Sequence, residues 1–484
     1  MENAVSRRTF VKGAGVAAGM SAILPATVSA IADEAQPAAV ELIDAASIAD
    51  VREYDVVICG SGVCGLSAAC KAAEEGLKVA CIEKRDESSS GGFNYGFINT
   101  KALTEAGAET YDEEQFLSDL IVKNDGMGNP ELYRNFIKAS PVVGDWLVAM
   151  AEKYDNPVIL SPSDSSYQIA DHYSMYISYA EENGAEIIYN MPAIQLAMDG
   201  NVCTGVIAHD TVNDADVYFV AKKGVILATG GYVANNDYLR RFIPWLDPDA
   251  IDLDLPTAPL GALDGDAITM CEQFGLAIGP VPHTPEIGFL DGVEGVLFVD
   301  GAGDRLPDHA DMLNFDARTQ IVMRRPGHMT FCITDSKEGY PEDIAPEDPN
   351  MVLADYDSFE AMAADFGFDP VRFTKTIADW NAMCDAGVDE LYGLDVSLAM
   401  KLDTPPYHCK PSRGGWATVI GGPLVNGKLQ VLGADLLPVQ GLYAAGNSSS
   451  GFFGVNYPYT LKFGINLAYC ATSGYLAASN IASL

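Results

Sequence analysis

The first sustained apolar pattern is Tyr54-Asp55-Val56-Val57-Ile58-Cys59, a compact β-branched run that predicts a buried strand. Gly60-Ser61-Gly62-Val63-Cys64-Gly65 follows, and the Ala-rich stretch from Leu66 to Glu75 predicts a helix that Gly76 ends. Lys78-Val79-Ala80-Cys81-Ile82 predicts a second strand finishing on Glu83. A lone GxGxxG is a weak signal, but strand, glycine turn, helix, strand and terminal acid in that order point to a dinucleotide site. Gly60 permits the tight turn, and Gly62 lets a pyrophosphate approach the backbone at the helix N-terminus beside Val63 and Cys64. Gly65 lets helix and strand pack closely. Glu83 can accept hydrogen bonds from ribose hydroxyls and would repel a 2′-phosphate, which disfavours NADP.

A second apolar stretch, Gly13 to Ile31, is milder and rich in Gly and Ala. It follows Ser6-Arg7-Arg8-Thr9-Phe10-Val11-Lys12 and contains the small-residue site Val28-Ser29-Ala30. Residues 1–30 therefore resemble a twin-arginine export signal, too short and Gly-rich for a stable membrane span. That resemblance implies a protein exported across the cytoplasmic membrane to the periplasm or cell envelope, already folded around its cofactor. Residues 31–50, rich in Ala, Asp and Glu, read as a linker.

Composition narrows the class. The chain has 484 residues, 48% of them hydrophobic and 20% charged, enough for a large core and two or three domains. A net charge of −38 excludes nucleic acid as a partner. None of the ten cysteines forms CxxC; Cys59, Cys64, Cys70 and Cys81 sit among small and apolar residues, as buried thiols do. No haem, iron–sulfur cluster or zinc is expected in this chain.

Three further segments separate FAD from NAD. Glu83-Lys84 with the loop Ser88-Ser89-Ser90-Gly91-Gly92 resembles the flavin-approach segment of FAD enzymes. Lys222 to Gly231, containing Ala228, Thr229 and Gly230, resembles the strand and turn returning beside the adenosine; Gly441 to Asn447, with Gly446, resembles the late strand meeting the ribityl chain. From about Tyr54 to Ala478 the chain resembles the flavoprotein superfamily of fumarate reductase and 3-ketosteroid Δ1-dehydrogenase. The resemblance implies an α/β fold, a Rossmann-like FAD-binding domain of glutathione-reductase type interrupted by an α+β capping domain. On that template the FAD domain covers 51–281 and 419–484, and the cap 282–418, with the active site in the cleft between them. FAD is the implied cofactor, and Leu461 and Lys462, opening the last helix, join its candidate contacts.

These flavoenzymes move hydride between flavin and a carbon β to a carbonyl, so the electrophile that polarises the carbonyl decides the substrate. A dicarboxylate needs fixed cations. Here the segment Phe453-Gly454-Val455-Asn456-Tyr457 ends in tyrosine where fumarate reductases carry arginine, and Thr418 replaces a histidine. Lys337 is the only cation near Phe331 to Asp335. Ala445-Gly446-Asn447, Asn456-Tyr457-Pro458 and Ser473 to Ala478 resemble the ketosteroid branch instead, in which the tyrosine before proline donates to the ketone. A neutral donor suits a neutral ketone in an apolar cleft. Tyr457 is thus the leading catalytic candidate, with Tyr459, Tyr95 and His283 as secondary ones. The expected function is reduction, or reversible desaturation, of a C=C bond conjugated to a carbonyl in a neutral bulky enone such as a 3-ketosteroid. Electrons would come from a separate membrane or periplasmic carrier, as in anaerobic respiration. The alternatives are a fumarate-reductase-like reductase of an unsaturated carboxylate, and a flavin electron-transfer or binding subunit.

Overall fold

The computed structural model describes residues 42–89, 91–243, 262–279, 295–306, 324–326, 329–337, 355–413, 419–454, 457–458 and 461–484. In chain order the chain forms β1 (Asp50–Cys59), α1 (Val63–Glu74), β2 (Val79–Ile82), α2 (Lys101–Glu105), α3 (Glu113–Lys123) and α4 (Pro130–Lys153). The hairpin β3 (Val158–Ser161) and β4 (Ser166–Ile169) leads to α5 (His172–Glu182), β5 (Glu186–Ile188), β6 (Ala193–Asp199), β7 (Val202–Asp210) and β8 (Ala215–Leu227). Next come α6 (Asn236–Phe242), α7 (Asp266–Glu272), β9 (Leu297–Val299), β10 (Met329–Asp335), β11 (Asp355–Tyr356), α8 (Phe359–Phe366) and α9 (Pro370–Ala386). The chain ends with β12 (Tyr407–Arg413), β13 (Gln430–Leu432), β14 (Pro438–Ala444) and α10 (Ile465–Ala482).

The principal sheet has the order β13-β14-β7-β8-β1-β2-β5, with β6 on β7 and β14 also pairing β8. Its centre is parallel. Cys59 lies opposite both Ile82 and Leu227, Leu227 opposite Ala444, and Ile82 opposite Ile188, so five strands end on one line. Val56 to Cys59 and Val79 to Ile82 are buried, as strands covered on both faces must be. The sequence pattern anticipated this unit closely. β1 starts four residues earlier than expected, at Asp50, where its polar end pairs with β8. The helix begins at Val63 rather than Leu66 because Gly62 serves as its N-cap.

α1 and α10 lie side by side through small residues. A Cβ at Gly474 would stand 2.1 Å from the Cys64 carbonyl oxygen, and Ser67 Oγ donates to Ala471 O at 2.7 Å. Cys59, Cys64, Cys70 and Cys81 are all buried in this layer, and burial pushes their thiol pKa values up.

A second, antiparallel sheet runs β11-β12-β10-β9 and has its own core, including Leu297, Phe331, Ile333, Phe373, Ile377 and Trp380. α9 carries its boundary signals in sequence: Asp369 caps it, Pro370 opens it, and Gly387 closes it in the left-handed region at φ 69°. One buried ion pair ties this sheet's elements. Arg305 holds Asp389 in a two-pronged contact of 3.1 and 2.8 Å and lies over the rings of Trp380 and Tyr392. The principal sheet takes strands from both sides of this stretch, the interrupted arrangement expected of the fold class.

Candidate cofactor and active site

The five parallel strand ends place four short turns together, the usual ligand position of an open α/β sheet. In the first, Gly60 has φ +103° and donates its N–H to Ile82 O at 2.7 Å. A Cβ at Gly60 would stand 2.4 Å from Ala228 O, and one at Gly65 only 1.8 Å from Gly60 O. No side chain caps α1, so its first-turn N–H groups are available to a phosphate. Gly60 and Gly62 keep accessible surface while Ser61, Val63, Cys64 and Gly65 are buried. This backbone loop, packed so closely that a side chain at 60 or 65 would meet the Ala228 or Gly60 carbonyl, fits a pyrophosphate.

Glu83, at the end of β2, is buried. Its Oε2 accepts from Ser61 N at 2.8 Å and Ser61 Oγ at 3.1 Å, and its Oε1 from Arg85 N at 3.0 Å. About four acceptor positions on a carboxylate leave room for a ribose hydroxyl. Glu83 therefore pins the glycine loop as well as facing the ribose position, a coupling that sequence reading missed because Ser61 carries no motif. Ser88 extends it, donating to Ser61 Oγ at 2.7 Å. The Lys84 ammonium is engaged by Asp264 at 2.6 Å and Asp266 at 2.9 Å. Burial opposes the Lys84 charge, and the two carboxylates more than offset it, holding its pKa above the usual value.

The β8 and β14 ends complete the trough. Ala228 N donates to Cys59 O at 2.8 Å and Ala445 N to Leu227 O at 3.0 Å. Thr229, Gly230 and Asn447 remain partly accessible among buried neighbours. Thr229 Oγ1 accepts from Ala267 N at 3.2 Å, tying this turn to α7. Gly446 has φ +62°, and a Cβ there would stand 2.9 Å from the Cys64 Cβ.

The glycine-pair loop crosses the start of α10. Gly92 has φ +97° and faces Leu467; Gly96 N donates to Gly464 O at 2.9 Å. Gly91 is partly accessible and Gly92 exposed. A Cβ at Gly96 would stand 1.9 Å from Phe463 O, and one at Gly464 2.5 Å from Asn94 O, so the crossing requires both glycines. Tyr457-Pro458 lies one turn ahead: Leu461 N and Lys462 N donate to Pro458 O at 3.1 and 3.3 Å. The Tyr457 ring, 4% exposed, meets Phe453 edge-on at 5.4 Å. Leu461 is partly accessible.

Tyr95 is 0% exposed, stacked on Phe97 and Tyr167 with His172 at its edge, and packs as a core aromatic. Lys462 is 1% exposed, and its ammonium sits on the carbonyls of Asp164 and Ser165. Burial lowers its pKa to about 8. Ser90, His283 and Tyr459 lie outside the described residues.

The FAD binding domain family matches residues 55–458. Digoxin reductase of Eggerthella lenta is 25% identical, the alignment covering 100% of this chain and 98% of that protein. NADH:fumarate oxidoreductase of Klebsiella pneumoniae is 24% identical over 84% of this chain, which spans only 45% of that relative. Among solved structures, the open conformation of a flavocytochrome c3 fumarate reductase superposes with a TM-score of 0.68 at 20% identity, covering 93% of this chain and 82% of that one. The 3-ketosteroid-Δ4-(5α)-dehydrogenase of Rhodococcus jostii RHA1 gives 0.69 at 20% identity, covering 91% and 99%; both likenesses speak to the fold. The family model covers most of the chain, and the chain belongs to the FAD binding domain family as an FAD-dependent oxidoreductase.

Proposed function

We propose that this chain reduces a C=C bond conjugated to the carbonyl of a neutral, bulky enone such as a 3-ketosteroid, with Tyr457 polarising the carbonyl. The carrying observation is the turn that sets Tyr457-Pro458 against the start of α10, where the glycine-pair loop crosses at Gly96 and Gly464. When bound, FAD would supply the hydride; Gly60, Gly62 and the first turn of α1 would hold its phosphates, and Glu83 its ribose. The Tyr457 hydroxyl would donate to the substrate oxygen and stabilise the negative charge that grows there as hydride adds at the β carbon, and a proton taken up at the α carbon completes the reduction.

Among the described residues around the second sheet, several cations are already held by aspartates, which favours a neutral substrate. Arg305 is engaged by Asp389, Lys337 by Asp335 and Asp403, Arg372 by Asp304, and Lys401 by Asp385. A carboxylate substrate would have to compete with an aspartate for each of these. The twin-arginine pattern at Arg7-Arg8 supports export, with electrons delivered by a separate carrier.

The test is Tyr457→Phe in FAD-loaded protein, reducing 4-androstene-3,17-dione with a reduced viologen as donor. Loss of about 100-fold in kcat with FAD retained is expected for a removed oxyanion donor. A kcat within threefold of the native value would overturn the role of Tyr457.

A further inference from the structure

We propose that Asn124 is a positioning residue that sets Tyr457 in place through Gly454; the inference rests on the role given to Tyr457 above. Asn124 follows α3 and is 0% exposed. Its Nδ2 donates to Leu120 O at 3.0 Å, which fixes the carboxamide, and its Oδ1 accepts from Gly454 N at 2.8 Å. The contact admits no side chain: a Cβ at Gly454 would stand 2.8 Å from Asn124 O and 3.0 Å from the Met127 Cβ.

The same turn holds the other end of the segment, because Asn129 N donates to Gly451 O at 2.6 Å. Between these two ties, Phe452 meets Tyr133 and Phe136 edge-on at 5.3 and 5.2 Å and stacks on Tyr469 of α10 at 3.9 Å. Phe453 then meets both Tyr469 and Tyr457 edge-on, at 5.7 and 5.4 Å. Asn124 thus holds, by a side chain, the backbone next to Phe453, whose ring meets Tyr457. Only an amide does both jobs here. An apolar residue would leave the Gly454 N–H buried without an acceptor, and a carboxylate would bury a charge.

The experiment compares Asn124→Ala, Asn124→Asp and Tyr457→Phe, singly, with Asn124→Ala/Tyr457→Phe, all loaded with FAD. Activity on 4-androstene-3,17-dione is expressed per bound FAD. Asn124→Ala is expected to lower kcat about tenfold while KM moves less than threefold. Asn124→Asp, which keeps an oxygen facing the Gly454 N–H, recovers at least part of that loss. The double variant is no more than twofold slower than Tyr457→Phe alone, because the two act on one group. A structural role alone would lower FAD content and leave kcat per bound FAD unchanged. That result, with Tyr457→Phe still slow, overturns the inference and spares the Tyr457 reading; a fast Tyr457→Phe overturns both. If Asn124→Ala does not load FAD, Asn124→Ser is read by the same criteria.

Discussion

A methyl group at position 65 would stand 1.8 Å from the Gly60 carbonyl oxygen, and neither backbone can move without separating α1 from β1. Gly65→Ala is therefore expected to cost at least about 2 kcal/mol and to yield protein largely without FAD, read as the ratio of flavin to protein absorbance. Glu83→Gln keeps the shape but weakens the hold on Ser61 and on the ribose; FAD affinity should fall about tenfold to a hundredfold by titration. Lys462 carries a pH signature. Its pKa falls from 10.5 to about 8 on burial, so between those values the unfolded chain binds the proton and the folded protein does not. Stability from this residue is complete above the upper value and lost as pH falls through 8. In Lys462→Met the rise in Tm between pH 8 and 10 should be smaller than in the native protein. The glycines and Glu83 were legible in sequence because their chemistry depends on local spacing. The side-chain surroundings of Lys84, Lys462 and Tyr95 were not legible, because their partners, Asp264 and Asp266, Asp164 and Ser165, and Tyr167, lie far along the chain.

Among the elements, β1, α1 and β2 were readable because strand hydrophobicity, the glycine cap and the terminal acid are all encoded within thirty-odd residues. The second sheet was not. Its strands are antiparallel partners far apart in sequence, β10 pairing β12 across more than seventy positions, and the pair Arg305 and Asp389 also links distant positions. Asp389 also accepts from Leu391 N, Tyr392 N and Leu394 N, so one carboxylate orders a whole loop. Burial opposes its charge, but Arg305 and these N–H groups prevail and hold its pKa at about 2, below the ordinary 3.8. Its contribution is present above pH 3.8 and lost as pH falls through 2. Asp389→Asn removes the carboxylate that faces the buried Arg305 guanidinium and should cost about 3 kcal/mol in denaturant unfolding at pH 7. The difference from the native protein should shrink toward pH 2.

For the whole molecule, five parallel strands end on one line, and the chain carries a net charge of −38 and so a strongly negative field. Such a field draws cationic reductants and is screened by salt. Reduction of the bound flavin by a cationic viologen should therefore slow as ionic strength rises, whereas reduction by the dithionite anion should quicken. The measurement closest to the central claim is anaerobic reoxidation of the dithionite-reduced, FAD-loaded protein. It is followed at the flavin absorbance band against 4-androstene-3,17-dione, digoxin, urocanate and fumarate. The account predicts rapid reoxidation by the neutral ketosteroid and little by fumarate or urocanate. Rapid reoxidation by fumarate with none by the ketosteroid would contradict it and would place carboxylate-binding cations, not Tyr457, at the reacting carbonyl.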